Sequence, residues 1–368
     1  MSTPRRALPP LVDYGLLPLL NLTAAFLVAG LVVLVIGEDP IGTVKIMLSG
    51  SLGYAEGIGF TLYYTTNFIF TGLAVAVAFH AGLFNIGAEG QATVAGIVVA
   101  ALCLTFDGAP WWLVFPFALA GGMLGGAAWA FVPAWAQARR GSHIVITTIM
   151  FNFLAATLIV YLLVNVMGKP GAMSPETRTF AEATRLPLLR DLVAPLGWDL
   201  GQSPLNPMIF VAIVAVAVVW VLIWHTRLGY EIRTVGFNPT AAAYAGIDAG
   251  HVVIAAMLIS GALAGLVAVN EVMGVQSRLV LEFVGGAGFV GIAVALMGRS
   301  HPFGVVLASL LFGVLYQGGA ELAFEKPKIT RDMIVVIQAL VILFMGALEH
   351  MFRPALERIF ARSGEGGR

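Results

Sequence analysis

Charge is what this chain has least of. Only 11% of its 368 residues are Asp, Glu, Lys or Arg against 59% apolar ones, whereas soluble domains carry about a quarter charged residues. A water-soluble globule is excluded, and lipid must be most of the solvent. The 20 basic and 20 acidic residues cancel, so no net charge points to nucleic acid or a polyanion. A single cysteine, Cys103, lies inside an apolar run; this excludes an intramolecular disulfide and a thiolate metal site, and Cys103 reads as a small buried apolar residue. No G-x-x-x-x-G-K-[ST] loop is present to cradle ATP phosphates, and neither H-E-x-x-H nor G-x-S-x-G occurs. No cofactor or metal is expected on this chain.

What is there is apolar sequence in long runs. About 20 helical residues cross the hydrocarbon core, and ten segments fit that length: 15–36, 60–79, 87–106, 112–137, 144–167, 207–225, 251–273, 282–299, 303–321 and 332–350. The first follows Arg5 and Arg6 but is longer than a signal-peptide core and lacks a small-x-small cleavage site before Gly37, so it reads as a retained span. The expected fold is therefore an all-α polytopic bundle. It divides into an N-terminal segment 1–14, a membrane domain 15–350 and a basic tail 351–368.

Ten crossings put both termini on one side, and Lys and Arg say which. Arg5, Arg6, Arg139, Arg140, Arg227, Arg233, Arg299, Arg353, Arg358, Arg362 and Arg368 all fall in segments on the same side, which the positive-inside rule makes cytoplasmic. Lys169, Arg178, Arg185 and Arg190 belong to the long outer loop 168–206, which counts for less because long loops translocate largely regardless of charge. His80, His143, His225, His251, His301 and His350 also fall at predicted inner ends, as interfacial polar residues. Trp111, Trp112 and Trp198 read as anchors at the outer boundary, Trp135 and Trp224 at the inner one.

Small residues recur at helical spacing. Ala118, Gly122, Gly126 and Ala130 mark one face, Ala88, Ala92, Gly96 and Ala100 another, and Gly261 with Gly265 a third; such stripes let helix backbones approach in lipid. They predict tight packing and say little about function.

Two stretches break the apolar pattern. Phe79 to Gln91, FHAGLFNIGAEGQ, places Asn85, Glu89 and Gln91 at membrane depth, where polar groups are costly unless paired or facing water. Its glycines permit a sharp turn and a helix restart near Gly87, and such broken helices line transport pathways. The plainer reading is that Glu89 only fixes packing. Glu282 to Gly291, EFVGGAGFVG, is a second break of the same kind.

At this point the sequence resembles a known family, the permease subunits of bacterial ABC importers of the ribose-permease-like group. LFNIGAEGQ (83–91) carries the resemblance first. SHIVITTIMFN (142–152), VGFNPTAAAYAGI (235–247), ISGALAGLVAV (259–269) and GFVGIAVALMGRSHPFG (288–304) follow in the family's order. ITTIMFN and GIAVALMGR resemble the nucleoside-importing branch. There is one departure: Ile144 follows His143 where that branch has an acidic residue.

The resemblance implies a multi-pass protein of the bacterial cytoplasmic membrane that takes up nucleosides, or alternatively simple sugars, by alternating access. It further implies a separate ATPase that uses ATP and Mg, an extracytoplasmic binding protein and a second, homologous permease subunit. Asn238-Pro239 and Gly246 bracket a short helix of small residues in the inner loop 226–250, with proline suited to its first turn and glycine to its end. By resemblance this is the segment that couples to the ATPase, with Arg233, Gly236, Asn238, Ala242 and Gly246 at its matching positions. Asn85, Glu89, Gln91, Thr148, Asn152, Asn270 and Gln317 are the candidate pathway residues. An ion-coupled transporter would need mid-membrane acids, for which Glu89 and Glu271 are the candidates. An intramembrane enzyme would need a Ser, His or Asp cluster at one depth, and the sequence offers none.

Overall fold

A backbone in lipid has no water to bond, so apolar runs close their own hydrogen bonds as helices. The computed structural model describes residues 12, 16–35, 37–169, 171, 173–194, 199–326, 328–329, 333–336 and 338–340. Among them, helices and irregular connections account for everything except two isolated β-bridges, Gly168 with Thr177 and Glu176 with Val280. Seven helices are long and apolar enough to cross a membrane, eight if one bent pair is counted as a span. This is a polytopic membrane bundle.

In chain order the helices are α1 (Leu17–Val35), α2 (Pro40–Leu52), α3 (Ala55–His80), α4 (Ala88–Thr105), α5 (Trp111–Arg140), α6 (Ile144–Asn165), the short α7 (Leu189–Val193), α8 (Met208–His225), α9 (Arg227–Phe237), α10 (Pro239–Tyr244), α11 (Ala249–Ala268, continued by a π-helical turn Val269–Gln276), α12 (Ala287–Met297) and α13 (Pro302–Glu325). Eight of the ten predicted spans coincide with α1, α3, α4, α5, α6, α8, α11 and α13. The segment 282–299 carries the expected break: α12 has only eleven residues, a rise of about 16 Å against a core of about 30 Å, and the glycine-rich run before Ala287 is irregular. Most of the tenth predicted span, 332, 337 and 341–350, lies outside the described residues, as do Arg5, Arg6, Arg353, Arg358, Arg362, Arg368, His350, Trp198 and both termini. The described residues thus hold seven or eight helices of spanning length.

The chain forms two compact units, 54–313, and 1–53 together with 314–368. In the smaller unit α1 and α2 meet at 115°. The sequence reading had no helix at α2, although Asp39-Pro40 is a start signal: the Asp39 carboxylate accepts from the amides of Ile41 (3.1 Å) and Gly42 (2.8 Å). Lys326 pairs with Glu38 in the same unit.

In the larger unit α3 is the central helix, buried on every face from Thr65 to Ala78. Around it pack α4, α8, α11 and α12, and α5 packs on α4 and α11. The predicted small-residue stripes of α5 and α11 meet: a Cβ at Gly126 would overlap the Gly261 carbonyl and stand 3.1 Å from the Gly265 Cα, and a Cβ at Gly265 would overlap the Gly122 carbonyl. The two backbones touch. The outer helices α6 and α8 instead expose apolar rows, among them Met150, Phe153 and Leu154, and Phe210, Ile213 and Val214, which suits lipid and not water.

The connection between α6 and α8 folds over the α4–α5 turn. Asp107 accepts from the Ala181 amide at 2.7 Å and pairs with Arg178, while Phe180 and Leu186 are buried. The Ala181 amide first, and the Arg178 guanidinium with it, hold the Asp107 carboxyl below its ordinary range. A depressed carboxyl stabilises above the unfolded value and loses that contribution as pH falls through the folded one. Protease resistance of this connection should therefore be full above about pH 3.9, the free Asp value, decline as pH falls below it, and be lost once pH is below the depressed folded value. In Asp107→Asn the connection should be cut more readily at neutral pH and without that pH step, which limited proteolysis across pH measures.

Candidate functional site

Helix α3 ends at His80, and residues 83–86 are non-helical before α4 begins. Ser260 donates to the Ala74 carbonyl (2.6 Å) and accepts from Asn85 (2.8 Å). Asn85 is thus level with Ala74, about 9 Å inside the end of α3 at 1.5 Å per residue. The non-helical segment lies within the bundle, and its polar groups are met by side chains. Asn85 and Gln91 exchange amide bonds at 3.1 and 3.2 Å, and the Gly87 amide donates to Asn85 at 2.8 Å. From α6, Asn152 donates to the Ile86 carbonyl and accepts from the Gly90 amide, both at 2.9 Å. Thr148 packs against Gly87. Asn85, Gln91 and Thr148 are almost fully buried; with Asn152 they brace the break.

Glu89, in the first turn of α4, reaches across to the start of α12. One carboxylate oxygen accepts from the Gly286 amide at 2.9 Å and the other from the Gly288 amide at 2.8 Å. Backbone approach is close here too, since a Cβ on Gly288 would stand 2.6 Å from the Glu89 Cα. The two predicted breaks are therefore one feature: α4 and α12 both start inside the bundle, beside each other, joined by a carboxylate.

The other two predicted pathway residues are elsewhere. Gln317 is buried in the smaller unit. Asn270 sits in a second polar cluster on the π-helical turn, donating to Asn67 (2.8 Å) and accepting from Asn206 (2.9 Å). Asn67 in turn donates to Glu271 at 2.6 Å, and Tyr63 bonds the same carboxylate oxygen. Sequence reasoning passed over Tyr63, Asn67 and Asn206. The one signal available was an asparagine in the middle of an apolar span, and its partners come from positions far away in the chain. π-Turns are frequent at functional sites.

Below the break lies the segment 226–250. Helix α9 buries Gly229, Ile232 and Val235 at a spacing of three and exposes Tyr230 on its other face, an amphipathic pattern. Its start is capped by the Thr226 hydroxyl, which accepts from the Gly229 amide at 3.0 Å. Asn238 caps α10, accepting from the amides of Thr240 and Ala241 at 3.0 and 3.1 Å. Gly246, at φ +78°, ends it with bonds from the Gly246 amide to the Ala243 carbonyl and from the Ile247 amide to the Ala242 carbonyl, both 3.0 Å, the double bond of a left-handed C-terminal cap. Arg233 donates to the Gly229 carbonyl on its own helix at 3.4 Å. Ala242 is fully buried, so it packs α10 onto the bundle and offers no outward surface. Phe237 at 95% and Tyr244 at 91% exposure are the large side chains the segment presents, beside the exposed Ala241, Ala243 and Ala245. The sequence reading looked to the alanines and missed both aromatics.

No metal-binding group of three or more His, Cys, Asp or Glu residues occurs among the described residues. No solved structure matches the chain. A glucose ABC transporter permease, TsgB13 of Haloferax volcanii, is 34% identical over 364 residues, 98% of this chain and 94% of that protein. A nucleoside ABC transporter permease, NupB of Lactococcus lactis, is 34% identical over 334 residues, 90% of each chain. A second nucleoside ABC transporter permease of the same organism, NupC, is 30% identical over 258 residues, 69% of this chain and 78% of that one. Residues 57–346 match the family described as branched-chain amino acid transport system / permease component. The chain belongs to that family, the membrane permeases of ABC importers.

Proposed function

We propose that this chain forms the translocation pathway for nucleosides in an ABC importer and is driven by a separate ATPase seated on the 226–250 segment. For the substrate, the supporting observation is the likeness to the nucleoside permease NupB over 90% of both chains. For coupling, it is a short helix capped at both ends, α10, with two exposed aromatics, Phe237 at the end of α9 and Tyr244 at the end of α10, beside the braced break. In this reading the chain hydrolyses nothing: ATP and Mg belong to the partner ATPase, and an extracytoplasmic binding protein delivers the nucleoside. The pathway partner is a second, homologous permease, as the occurrence of both NupB and NupC in Lactococcus lactis suggests. The setting is the cytoplasmic membrane of a bacterium, with 226–250, 1–14 and 351–368 inside and 168–206 outside. Asn85, Glu89, Gln91, Thr148 and Asn152 act by holding the break, Arg233, Asn238, Ala242 and Gly246 by shaping the docking segment, and Gly236 by joining that segment to the membrane part.

A simple-sugar substrate is the second reading, favoured by the glucose permease TsgB13, equally identical over 98% of this chain, and by Ile144 after His143. An ion-coupled mechanism is weakened because both oxygens of Glu89 are already engaged by backbone amides.

The test is ATP hydrolysis and uptake by the complex of both permeases, ATPase and binding protein in vesicles. Stimulation by guanosine and not by glucose supports the nucleoside reading; the reverse selects the sugar, and no ATP dependence rejects both. Gly246→Val should uncouple hydrolysis from uptake. Space is not the reason, since nothing lies within 4 Å of a Cβ there; a left-handed β-branched residue costs at least about 1–2 kcal/mol, enough to unwind the end of so short a helix. Intact coupling in Gly246→Val would count against the docking segment.

A further inference from the structure

We infer that the backbone contact of Gly236 with His80–Gly82 is the point where movement of the α9–α10 segment enters the membrane part of the protein, and that the break and α12 receive it as one body. The inference rests on the docking role proposed for 226–250 and goes beyond it by naming the junction.

Three observations carry it. First, Gly236, in the last turn of α9, has no room for a side chain: a Cβ there would overlap the His80 carbonyl and stand 2.8 Å from the Gly82 nitrogen and 2.9 Å from the Ala81 carbonyl carbon. A Cβ on Gly82 would in turn stand 3.3 Å from the Gly236 Cα and oxygen, and Gly82 has φ +72°. Backbone meets backbone on both sides, so displacement of α9 cannot be absorbed by a side-chain rotation.

Second, the His80 ring nitrogen is 3.0 Å from the Ser300 carbonyl oxygen, on the turn that follows α12. Trp224, the penultimate residue of α8, lies between the rings of His80 and His301, with centroids 5.2 and 5.0 Å away. Arg299 and Ser300 in that turn both have left-handed φ, +51° and +54°, a conformation that only surrounding structure maintains in non-glycine residues. Third, the other end of α12 is held by Glu89 through the Gly286 and Gly288 amides.

Helix α12 is therefore fastened at its end to the last residue before the break and at its start to the first turn after it. Residues 80–89 and 286–300 close a ring. A push at Gly82 moves the break, and the break carries α12 with it.

The experiment uses the full complex in lipid nanodiscs. In Gly236→Ala the ATPase should still co-purify and hydrolyse ATP, but guanosine should no longer stimulate hydrolysis and uptake should be lost. The double variant Phe237→Ala/Tyr244→Ala, altered only at exposed side chains, should lose the co-purifying ATPase. If the double variant behaves so while Gly236→Ala transports like the wild type, docking stands and the junction is overturned. If the double variant keeps its ATPase, the docking role falls and the junction with it. Hydrogen exchange on the wild-type complex decides the case in which Gly236→Ala does not accumulate. Between the nucleotide-free and vanadate-trapped states, protection should change together in 81–87 and 284–289. A change confined to 227–246 overturns the inference.

Discussion

Gly261→Val is expected to leave no folded protein in the membrane. Overpacking a core commonly costs about 1–3 kcal/mol because side chains shift to make room. Here the obstacle is backbone: a Cβ at Gly261 would overlap the Gly126 carbonyl oxygen and stand 2.9 Å from its carbon and 2.7 Å from the Ala130 Cβ. Separation of α5 from α11 is the only relief. Since packing, not a hydrophobic effect, holds helices together in lipid, the cost should exceed that range and consume much of a stability of about 5–15 kcal/mol. Gly121→Ala, on α5, is the contrasting case. Its Cβ would meet the tip of the Leu102 side chain, which can rotate, and the variant should melt close to the wild type. Thermal melting in detergent by gel-filtration yield compares the two; equal yields for wild type and Gly261→Val would remove the α5–α11 seam from the account of stability.

Glu89→Gln is expected to assemble and to transport poorly. The carboxylate accepts two backbone amides, one on each oxygen. Glutamine keeps the shape but offers one acceptor, and it turns an N–H₂ group toward an N–H. Losing a hydrogen bond to a charged group costs about 1.5–3 kcal/mol. At about 1.4 kcal/mol per tenfold, the joined state of the break would fall roughly ten- to a hundredfold relative to states in which α4 and α12 part. Uptake in vesicles should fall accordingly while co-purification of the partner subunits stays normal. Glu89→Ala, which strands both amides, should reduce the amount of folded protein as well. Wild-type uptake by Glu89→Gln at normal expression would show that the link between the two helix starts does not matter for transport.

Much of this architecture was legible because lipid simplifies the code. Apolar length marked the helices, and the small-residue stripes of Gly122, Gly126, Gly261 and Gly265 announced the seam, although not which stripe meets which. Both breaks were visible as glycines and polar residues interrupting apolar sequence. That they are a single feature was not, because the Glu89 to Gly286 bond joins positions that no local pattern relates. The same holds for Asn85 with Ser260, and for Asn67 with Glu271.

The shortness of α12 has a simple origin. Hydropathy measures how well a segment tolerates lipid, and residues 282–299 tolerate it well while their glycines keep the first part from being helical. Helix α2 was lost for the opposite reason, since its composition is ordinary and only the Asp39-Pro40 start betrays it. In the segment 226–250, a composition rich in alanine draws attention to the small residues, of which Ala242 is buried, and away from the exposed Phe237 and Tyr244.

The joined helix starts also have an electrical consequence. Each α-helix carries an effective charge of about +0.5 at its N-terminus from its aligned peptide dipoles. The starts of α4 and α12 thus place about one positive charge in the interior of the bundle, and a Glu89 carboxylate between them offsets it when ionised. In that state this part of the bundle is close to electrically neutral. An anionic solute such as a nucleotide would find no net attraction there to repay the loss of its hydration, whereas an uncharged one gives up far less on entering.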